Sequence, residues 1–161
     1  RDQALAGTKI DFNRRFTRQR DGKEVALRAL AKQSEYLVIH FWSPWSNESK
    51  AHLPDFLAMV KELNTHKIPV ASILIEPGNE ALTEANKFRA ALPSGEIGDW
   101  IVDNLQASLA RKLRVLELPT ITVLKIDGSV LFSGHPSEKQ LWSALQEIDP
   151  KLKRPRVVSA P

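Results

Sequence analysis

The chain has 161 residues, of which 42% are hydrophobic and 26% are charged, and these values are typical of a single globular domain. No stretch approaches the roughly 20 consecutive apolar residues of a membrane-spanning helix. The sequence contains no cysteine, which excludes disulfides, thiolate metal sites and cysteine nucleophiles.

The formal net charge is +4 and is concentrated at one end of the chain. The segment "KLKRPR" (151–156) carries four positive and no negative charges, so the preceding residues are close to neutral. A second basic cluster comprises Arg14, Arg15, Arg18 and Arg20. Because neither cluster shows a regular alternation of basic and aromatic residues, we expect a solvated surface and a solvated tail, with no nucleic-acid partner.

The first half of the chain predicts a β-hairpin, a short helix, a buried strand and a long helix. The hairpin begins at "TKIDFNRRF" (8–16), turns at Asp21-Gly22 and continues in "EVALRALAK" (24–32), which passes into the short helix. The strand is the apolar, β-branched run "EYLVIHFW" (35–42). From residue 47 to about 64 the apolar positions recur at helical spacing, and Pro54 predicts a kink within that helix.

The second half continues the alternation and ends in a hairpin and a helix. The predicted elements are a strand over 67–76, a helix over 79–92, a short strand over 99–103, a helix over 104–113, strands over 120–126 and 129–134, and a last helix. Asp127-Gly128 between the late strands predicts an antiparallel turn, and Ser137 with Gln140 predicts a capping box. This order predicts an α/β fold with a mixed central sheet and helices on both faces.

Four motifs in this order resemble the thioredoxin superfamily, and more closely its extracytoplasmic TlpA/ResA-like branch of thiol-disulfide oxidoreductases. They are the Asp21-Gly22 turn, "FWSPWSNES" (41–49), Leu53-Pro54 and "LELPTITVLKIDGSVLFSG" (116–134). The resemblance implies a thioredoxin-like fold with an N-terminal β-hairpin extension. It also implies a single domain over residues 1–149, divided into a hairpin and short helix (1–34) and a core (35–149). Residues 150–161 then form a basic C-terminal tail.

The resemblance places the two redox cysteines of that family at Ser46 and Ser49. Thiol-disulfide exchange requires a thiolate and a second sulfur, neither of which serine provides. Pro119 matches the cis-proline of the family, in which the backbone of the preceding residue, here Leu118, meets a bound peptide. Ser46 also has a purely structural interpretation, as the N-cap of the following helix.

Other positions near the two serines differ from the family pattern. Glu48 stands where the family often has proline, His40 where it has a buried aspartate or asparagine, and His52 where it often has glutamate. His40 and His52, with Glu48, are conceivable ligands for zinc or copper. The alternative for His40 is a hydrogen-bonded core histidine. Trp42 is predicted to pack in the core or, with Trp45, beside a peptide.

These residues support three hypotheses about function. The first is a redox-inactive protein- or peptide-binding module, whose surface includes Trp45, Asn47, Glu48, Leu118 and Pro119. The second is a Cys-to-Ser variant of a working thiol-disulfide oxidoreductase. The third is a metal or small-ligand site at His40 and His52, although the pattern predicts no dedicated cofactor or metal.

The resemblance also predicts a location. The branch is usually periplasmic or held outside the cytoplasmic membrane by an N-terminal anchor. The chain opens Arg1-Asp2-Gln3 without an initiator Met, so we expect a processed or trimmed chain whose membrane tether lies outside the given sequence.

Overall fold

A computed structural model describes residues 5, 7–76, 78–91, 99–103 and 107–156. The strands are β1 (Arg15–Arg18), β2 (Glu24–Ala26), β3 (Tyr36–Trp42), β4 (Val70–Leu74), β5 (Asp99–Val102), β6 (Thr120–Lys125) and β7 (Val130–Gly134). The helices are α1 (Leu27–Ala31), α2 (Asn47–Ala51), α3 (Leu53–Thr65), α4 (Asn79–Ala91), α5 (Ser108–Lys112) and α6 (Lys139–Ile148). Within these ranges, no helix has the length and apolar character needed to cross a bilayer.

All seven strands belong to one mixed sheet with the order β2-β1-β5-β4-β3-β6-β7. The central strands β5, β4 and β3 are parallel, whereas β1 and β2 at one edge and β6 and β7 at the other are antiparallel to their neighbours. The predicted α/β class, the mixed sheet and the antiparallel late hairpin are therefore confirmed.

Apart from His40, the buried residues of strand β3 are apolar, because helices cover both faces of the sheet at its centre. Leu37, Ile39 and Phe41 pack in a cluster with buried residues of α1 and α5. Val38 lies in a second cluster that contains the buried residues of α3 and α6. Successive side chains of a strand point to opposite faces, so this single strand anchors both halves of the core.

The N-terminal hairpin begins later than its sequence pattern indicates. The sequence predicts extended structure from residue 8, but β1 starts at Arg15. The reason is a local turn, in which the Asp11 side chain accepts a 2.8 Å hydrogen bond from the Asn13 amide and the Asp11 carbonyl accepts one from the Arg14 amide. Aspartate favours this kind of turn over a strand. Strand β1 then joins the main sheet by pairing with β5.

The predicted kink at Pro54 is a complete break between two helices. Helix α2 ends at Ala51, His52 is its C-cap, and α3 begins at Leu53 with the proline in its first turn. Proline lacks a backbone N–H, and the N–H groups of the first turn have no partner within the helix. A proline is therefore tolerated at the start of a helix and disruptive in its interior. The five-residue α2 is thereby free to take its own direction.

Two predicted helix starts are wrong. Ser137 does not cap α6: the N-cap is Glu138, whose carboxylate accepts from the His135 amide, and the Ser137 hydroxyl contacts the His135 ring instead. Helix α5 covers 108–112 rather than 104–113, and residues 104–106 lie outside the described ranges.

The first residues of the basic tail pack on the domain, in contrast to the predicted solvated tail. Leu152 is buried in the cluster of α3 and α6, and its carbonyl accepts a 3.0 Å hydrogen bond from the side chain of Gln146. The Lys153 amide donates a 2.8 Å hydrogen bond to the Glu62 carboxylate. The tail therefore runs back along the helices towards His52, where Arg154 and Arg156 line a cleft of about 580 Å³.

Candidate functional site

The residues of interest lie at one end of the central strands, where the parallel strands β3 and β4 reach their carboxyl ends. Near the end of β3, Phe41 pairs with Thr120 at the start of β6, and Trp42 pairs with Leu74 at the end of β4. Two connections therefore meet there, which we call the site loop (residues 43–46) and the proline loop (residues 116–119). In open α/β sheets the crevice beyond the carboxyl ends of the parallel strands is the usual ligand site.

The two serines at the redox positions have different surroundings. Ser46 is half-buried and is the N-cap of α2, where its hydroxyl oxygen accepts a 3.0 Å hydrogen bond from the Ser49 amide. Ser49 is fully buried, and its hydroxyl oxygen accepts a 3.4 Å hydrogen bond from the Ser43 amide. The capping interpretation of Ser46 agrees with this geometry, and none of the hydrogen bonds of its hydroxyl within the described chain involves an imidazole base.

Ser43 holds the site loop in place, although the sequence analysis did not single it out. Its hydroxyl donates a 2.5 Å hydrogen bond to the Glu76 carboxylate and accepts a 3.1 Å bond from the Trp45 amide. Glu76 is the second residue after β4, and its position just beyond the end of a parallel strand is the signal that points to it. The pair ties the loop after β3 to the end of β4 and fixes the direction of the Trp45 backbone.

The outer surface of the site is apolar and exposed. Trp45 is 53% exposed and borders a shallow cleft of about 380 Å³ on α4, while Asn47 and Glu48 are exposed on α2. Leu116, in the proline loop, is 96% exposed. Sequence reasoning missed Leu116, because an isolated leucine before a strand is expected to be buried.

The remaining residues of the proline loop lie deeper. The Leu118–Pro119 peptide bond is cis. Pro119 is buried, and Leu118 is half-buried against the core cluster of α1 and α5. The surface that this loop presents therefore comes mainly from Leu116 and the exposed Glu117.

His40 and Trp42 lie beneath the site, inside the protein. The His40 ring stacks on Phe56 with centroids 3.8 Å apart, and its Nδ1 lies 3.0 Å from the Ser72 hydroxyl oxygen. Burial, with a smaller contribution from the charge of His52, lowers the pKa of His40 from its ordinary 6.5 to about 3. Trp42 is fully buried edge-on to Trp100, and its indole N–H has no hydrogen-bond partner among the described residues.

His52 belongs to a different group from His40. Its Nε2 lies 3.9 Å from Glu48 Oε1, and the same oxygen lies 3.7 Å from Nε2 of His135. The expected pairing of His40 with His52 as metal ligands is thus replaced by a cluster of Glu48, His52 and His135, to which His40 contributes no ligand atom. No sequence signal indicates His135, which the fold brings in from the loop after β7.

This arrangement excludes the chemistry of thioredoxins. Without any cysteine the chain cannot form or reduce a disulfide, whatever the geometry around Ser46 and Ser49. The site loop presents an exposed tryptophan, and the proline loop at the same end of the sheet presents an exposed leucine.

No protein-family model matches the chain, and no curated protein matches it in sequence. Several solved structures match its fold. A thioredoxin-like protein from Aeropyrum pernix has a TM-score of 0.65 at 18% identity, covering 84% of this chain and 89% of that one. The exposed lipoprotein thioredoxin of Streptococcus pneumoniae has a TM-score of 0.64 at 19% identity, covering 83% and 98%. A thiol-disulfide oxidoreductase from Bacteroides fragilis has a TM-score of 0.62 at 22% identity, covering 84% and 96%. The chain therefore has the thioredoxin-like fold, as its resemblance in sequence predicts.

Proposed function

From a thioredoxin-like fold that carries serine at both redox positions, we propose that this chain is a protein- or peptide-binding module. It has lost the thiols that act on a partner in related folds and has kept the surface around them. The proposed surface consists of Trp45, Asn47 and Glu48 beside α2, and of the proline loop with Leu118 and Pro119.

One observation carries this proposal: large exposed hydrophobic side chains occur where the two loops meet. In the described ranges there are three such residues, Trp45, Leu116 and Leu131. Two of them lie on the site loop and the proline loop, which the pairing of Phe41 with Thr120 brings to the same edge of the sheet. Exposed tryptophan on an ordered loop is typical of residues that dominate binding energy at protein interfaces.

A binding experiment with a matched control tests the proposal. A photo-cross-linking residue at position 47, which leaves Trp45 in place, identifies the neighbour in cells of the source organism, and calorimetry then measures the affinity of the purified pair. We expect Trp45→Ala and Leu116→Ala each to weaken binding by about 30-fold, the factor that corresponds to loss of a hot-spot residue. Leu131→Ala removes an equally apolar exposed side chain from β7 and should leave the affinity unchanged. Equal affinities for all four proteins would refute the proposed surface.

A second candidate is a Cys-to-Ser variant of a working thiol-disulfide oxidoreductase. It is favoured by the contrast between half-buried Ser46 at the helix start and fully buried Ser49 one turn later. An attacking thiol needs exposure and a resolving thiol does not. The double variant Ser46→Cys/Ser49→Cys should then reduce insulin. A double variant that forms its disulfide but never reduces a substrate speaks against this candidate, and cysteine codons in the native gene would support it directly.

We also propose an extracytoplasmic location. The support is the resemblance to the TlpA/ResA-like branch and the fold shared with a protein named as an exposed lipoprotein. Fractionation of the source cells with an antibody against this chain tests it, and recovery in the cytoplasmic fraction alone would contradict it.

A further inference from the structure

Three side chains from two separate elements converge beside the proposed binding surface. Glu48 on α2 and His52 at its C-cap are four residues apart, so they share one face of the helix. His135 approaches them from the loop that follows β7, and its ring lies edge-on to that of His52 with centroids 4.8 Å apart. One potential ligand atom from each of the three residues lies within 4.8 Å of the other two.

Both histidines turn the same nitrogen towards the carboxylate. The Nε2 atoms of His52 and His135 lie 3.9 Å and 3.7 Å from Glu48 Oε1. Each Nδ1 faces an oxygen instead: Asp55 Oδ2 is 3.7 Å from Nδ1 of His52, and Ser137 Oγ is 2.7 Å from Nδ1 of His135. An oxygen partner on the far nitrogen of each ring is the usual outer shell of metal-binding histidines.

We propose that Glu48, His52 and His135 bind one divalent transition-metal ion such as Zn²⁺. Two imidazole nitrogens and one carboxylate oxygen suit zinc or copper, whereas magnesium and calcium prefer oxygen ligands alone. Ligands of a tetrahedral zinc ion are about 3.3 Å apart, so the two measured nitrogen–oxygen distances need to shorten by about half an ångström. The remaining pair of ligand atoms, which lies within 4.8 Å, needs to approach by up to about 1.5 Å.

Metal binding at both Nε2 atoms fixes the protons of the rings. Each neutral imidazole must then carry its proton on Nδ1. For His135 the Ser137 hydroxyl can accept it, whereas for His52 the Asp55 carboxylate, now 3.7 Å away, has to move closer. For His135 this exchanges the contact between Nδ1 and the Ser137 amide, now 3.1 Å long, for a hydrogen bond to the hydroxyl. The three protein ligands leave a fourth position open to water or to a group of a bound partner.

A second histidine with two acidic neighbours provides an internal control. His66 lies between Asp149, 2.9 Å from its Nδ1, and Glu62, 3.4 Å from its Nε2. These carboxylates face opposite nitrogens of one ring, so the three residues do not converge on a point. Acidic neighbours alone are thus not sufficient for the proposed site, and His66 should bind no zinc.

Calorimetry and thermal unfolding of the chain without a polyhistidine tag test the proposal, with ZnCl₂ as the probe and MgCl₂ for comparison. We expect one zinc ion per chain and a melting temperature raised by roughly 5–10 °C at a hundredfold excess over the dissociation constant. Glu48→Gln and His135→Gln should each weaken zinc binding by more than about 100-fold, because outer-shell partners alone contribute 10–100-fold. Ser137→Ala, which removes an outer-shell partner of His135, should weaken zinc binding by about 10–100-fold.

Several results would overturn the site. These are no zinc binding by the unmodified chain at about 1 mM, unchanged affinity in Glu48→Gln and His135→Gln, or loss of binding in His66→Gln. Glu48 is 58% exposed, so its substitution tests binding in a chain that still folds. The inference is independent of the proposed protein-binding function, since the test contains only the chain and the metal.

Discussion

The inner and outer halves of the site differ in what their side chains contact. Inside, Trp42 and Ser49 are fully buried and the His40 ring lies stacked on Phe56. Outside, Trp45 and Leu116 are exposed, although Trp45 is only three residues from Trp42 in the sequence. The two tryptophans of "FWSPWSNES" therefore have opposite surroundings: one fills the core and the other is exposed to solvent.

This difference separates what stabilises the fold from what is free to bind. A residue of the inner half should affect the free energy of unfolding when it is replaced, and a residue of the outer half should affect recognition. Substitutions in the two halves test that separation, and the largest loss in the free energy of unfolding is expected in the inner half.

Trp42→Ala should lower the free energy of unfolding by about 3–5 kcal/mol, the range for removing a large buried aromatic side chain. Trp42 contacts Trp100 edge-on with ring centroids 4.6 Å apart, so the cavity would open beside a second ring. Urea denaturation followed by circular dichroism measures the change.

A milder variant shows which part of Trp42 matters. Trp42→Phe keeps a buried ring and removes an indole N–H for which the described part of the chain offers no hydrogen-bond partner. Because an unpaired buried donor is itself costly, this variant should lose less than half as much stability as Trp42→Ala. Equal losses in the two variants would mean that the indole N–H forms a hydrogen bond in the folded protein, which would contradict the unpaired state of Trp42.

His40 should make the protein sensitive to acid. The pKa of His40 is about 3 in the folded chain because of burial, against 6.5 for an ordinary histidine. Between these values the unfolded chain binds a proton that the folded chain does not. The contribution of His40 to stability is therefore complete above pH 6.5 and falls by about 1.4 kcal/mol for each pH unit from there down to about pH 3.

Comparison of unfolding curves from pH 7 to pH 4 measures this slope. His40→Asn keeps a polar group facing Ser72 and should flatten the dependence by about the stated amount per pH unit. Trp45→Ala, which alters no titratable group, should keep the slope of the unmodified chain. A slope unaffected by His40→Asn would place the acid sensitivity elsewhere.

The inner half and the fold were largely predictable from the sequence, because strand and helix periodicity depends on burial. The run of residues 35–42 and the Asp127-Gly128 turn gave β3 and the last hairpin almost within a residue. Contacts between distant segments were not predictable in this way. His135 lies 83 residues after His52, and nothing in "SGHPS" indicates that the two rings meet.

The errors have local causes of the same kind. The sequence pattern of Ser137 and Gln140 is that of a capping box, but Glu138 bonds back to the His135 amide and takes the N-cap position itself. Leu116 is apolar and stands before a strand, which predicts burial, yet it is 96% exposed in the proline loop. The cap of α6 depends on which of two side chains bonds to the backbone, and the exposure of Leu116 depends on the direction of its loop. The sequence pattern of a single segment carries neither kind of information.

Ser46→Ala should cost about 1 kcal/mol, because it removes the N-cap of α2 and the hydrogen bond to the Ser49 amide. Ser46→Asp restores a capping oxygen and should recover most of that loss. Chemical denaturation of the three proteins measures the effect. If Ser46→Ala were as stable as the unmodified chain, the cap would not stabilise α2. Ser46 would then resemble the exposed residues of the outer half, whose replacement leaves the stability unchanged.

Trp45→Ala should change the free energy of unfolding by less than about 0.5 kcal/mol, the usual limit for an exposed side chain without specific contacts. The same substitution should have a large effect on fluorescence quenching. Of the four tryptophans, Trp42, Trp100 and Trp142 are buried and Trp45 is 53% exposed, so Trp45 alone is open to iodide. The quenchable part of the emission should therefore disappear in Trp45→Ala and fall when a partner binds the unmodified chain. Quenching that persists in the variant would mean that an inner tryptophan reaches solvent, and the division into a structural and a binding half would then fail at its centre.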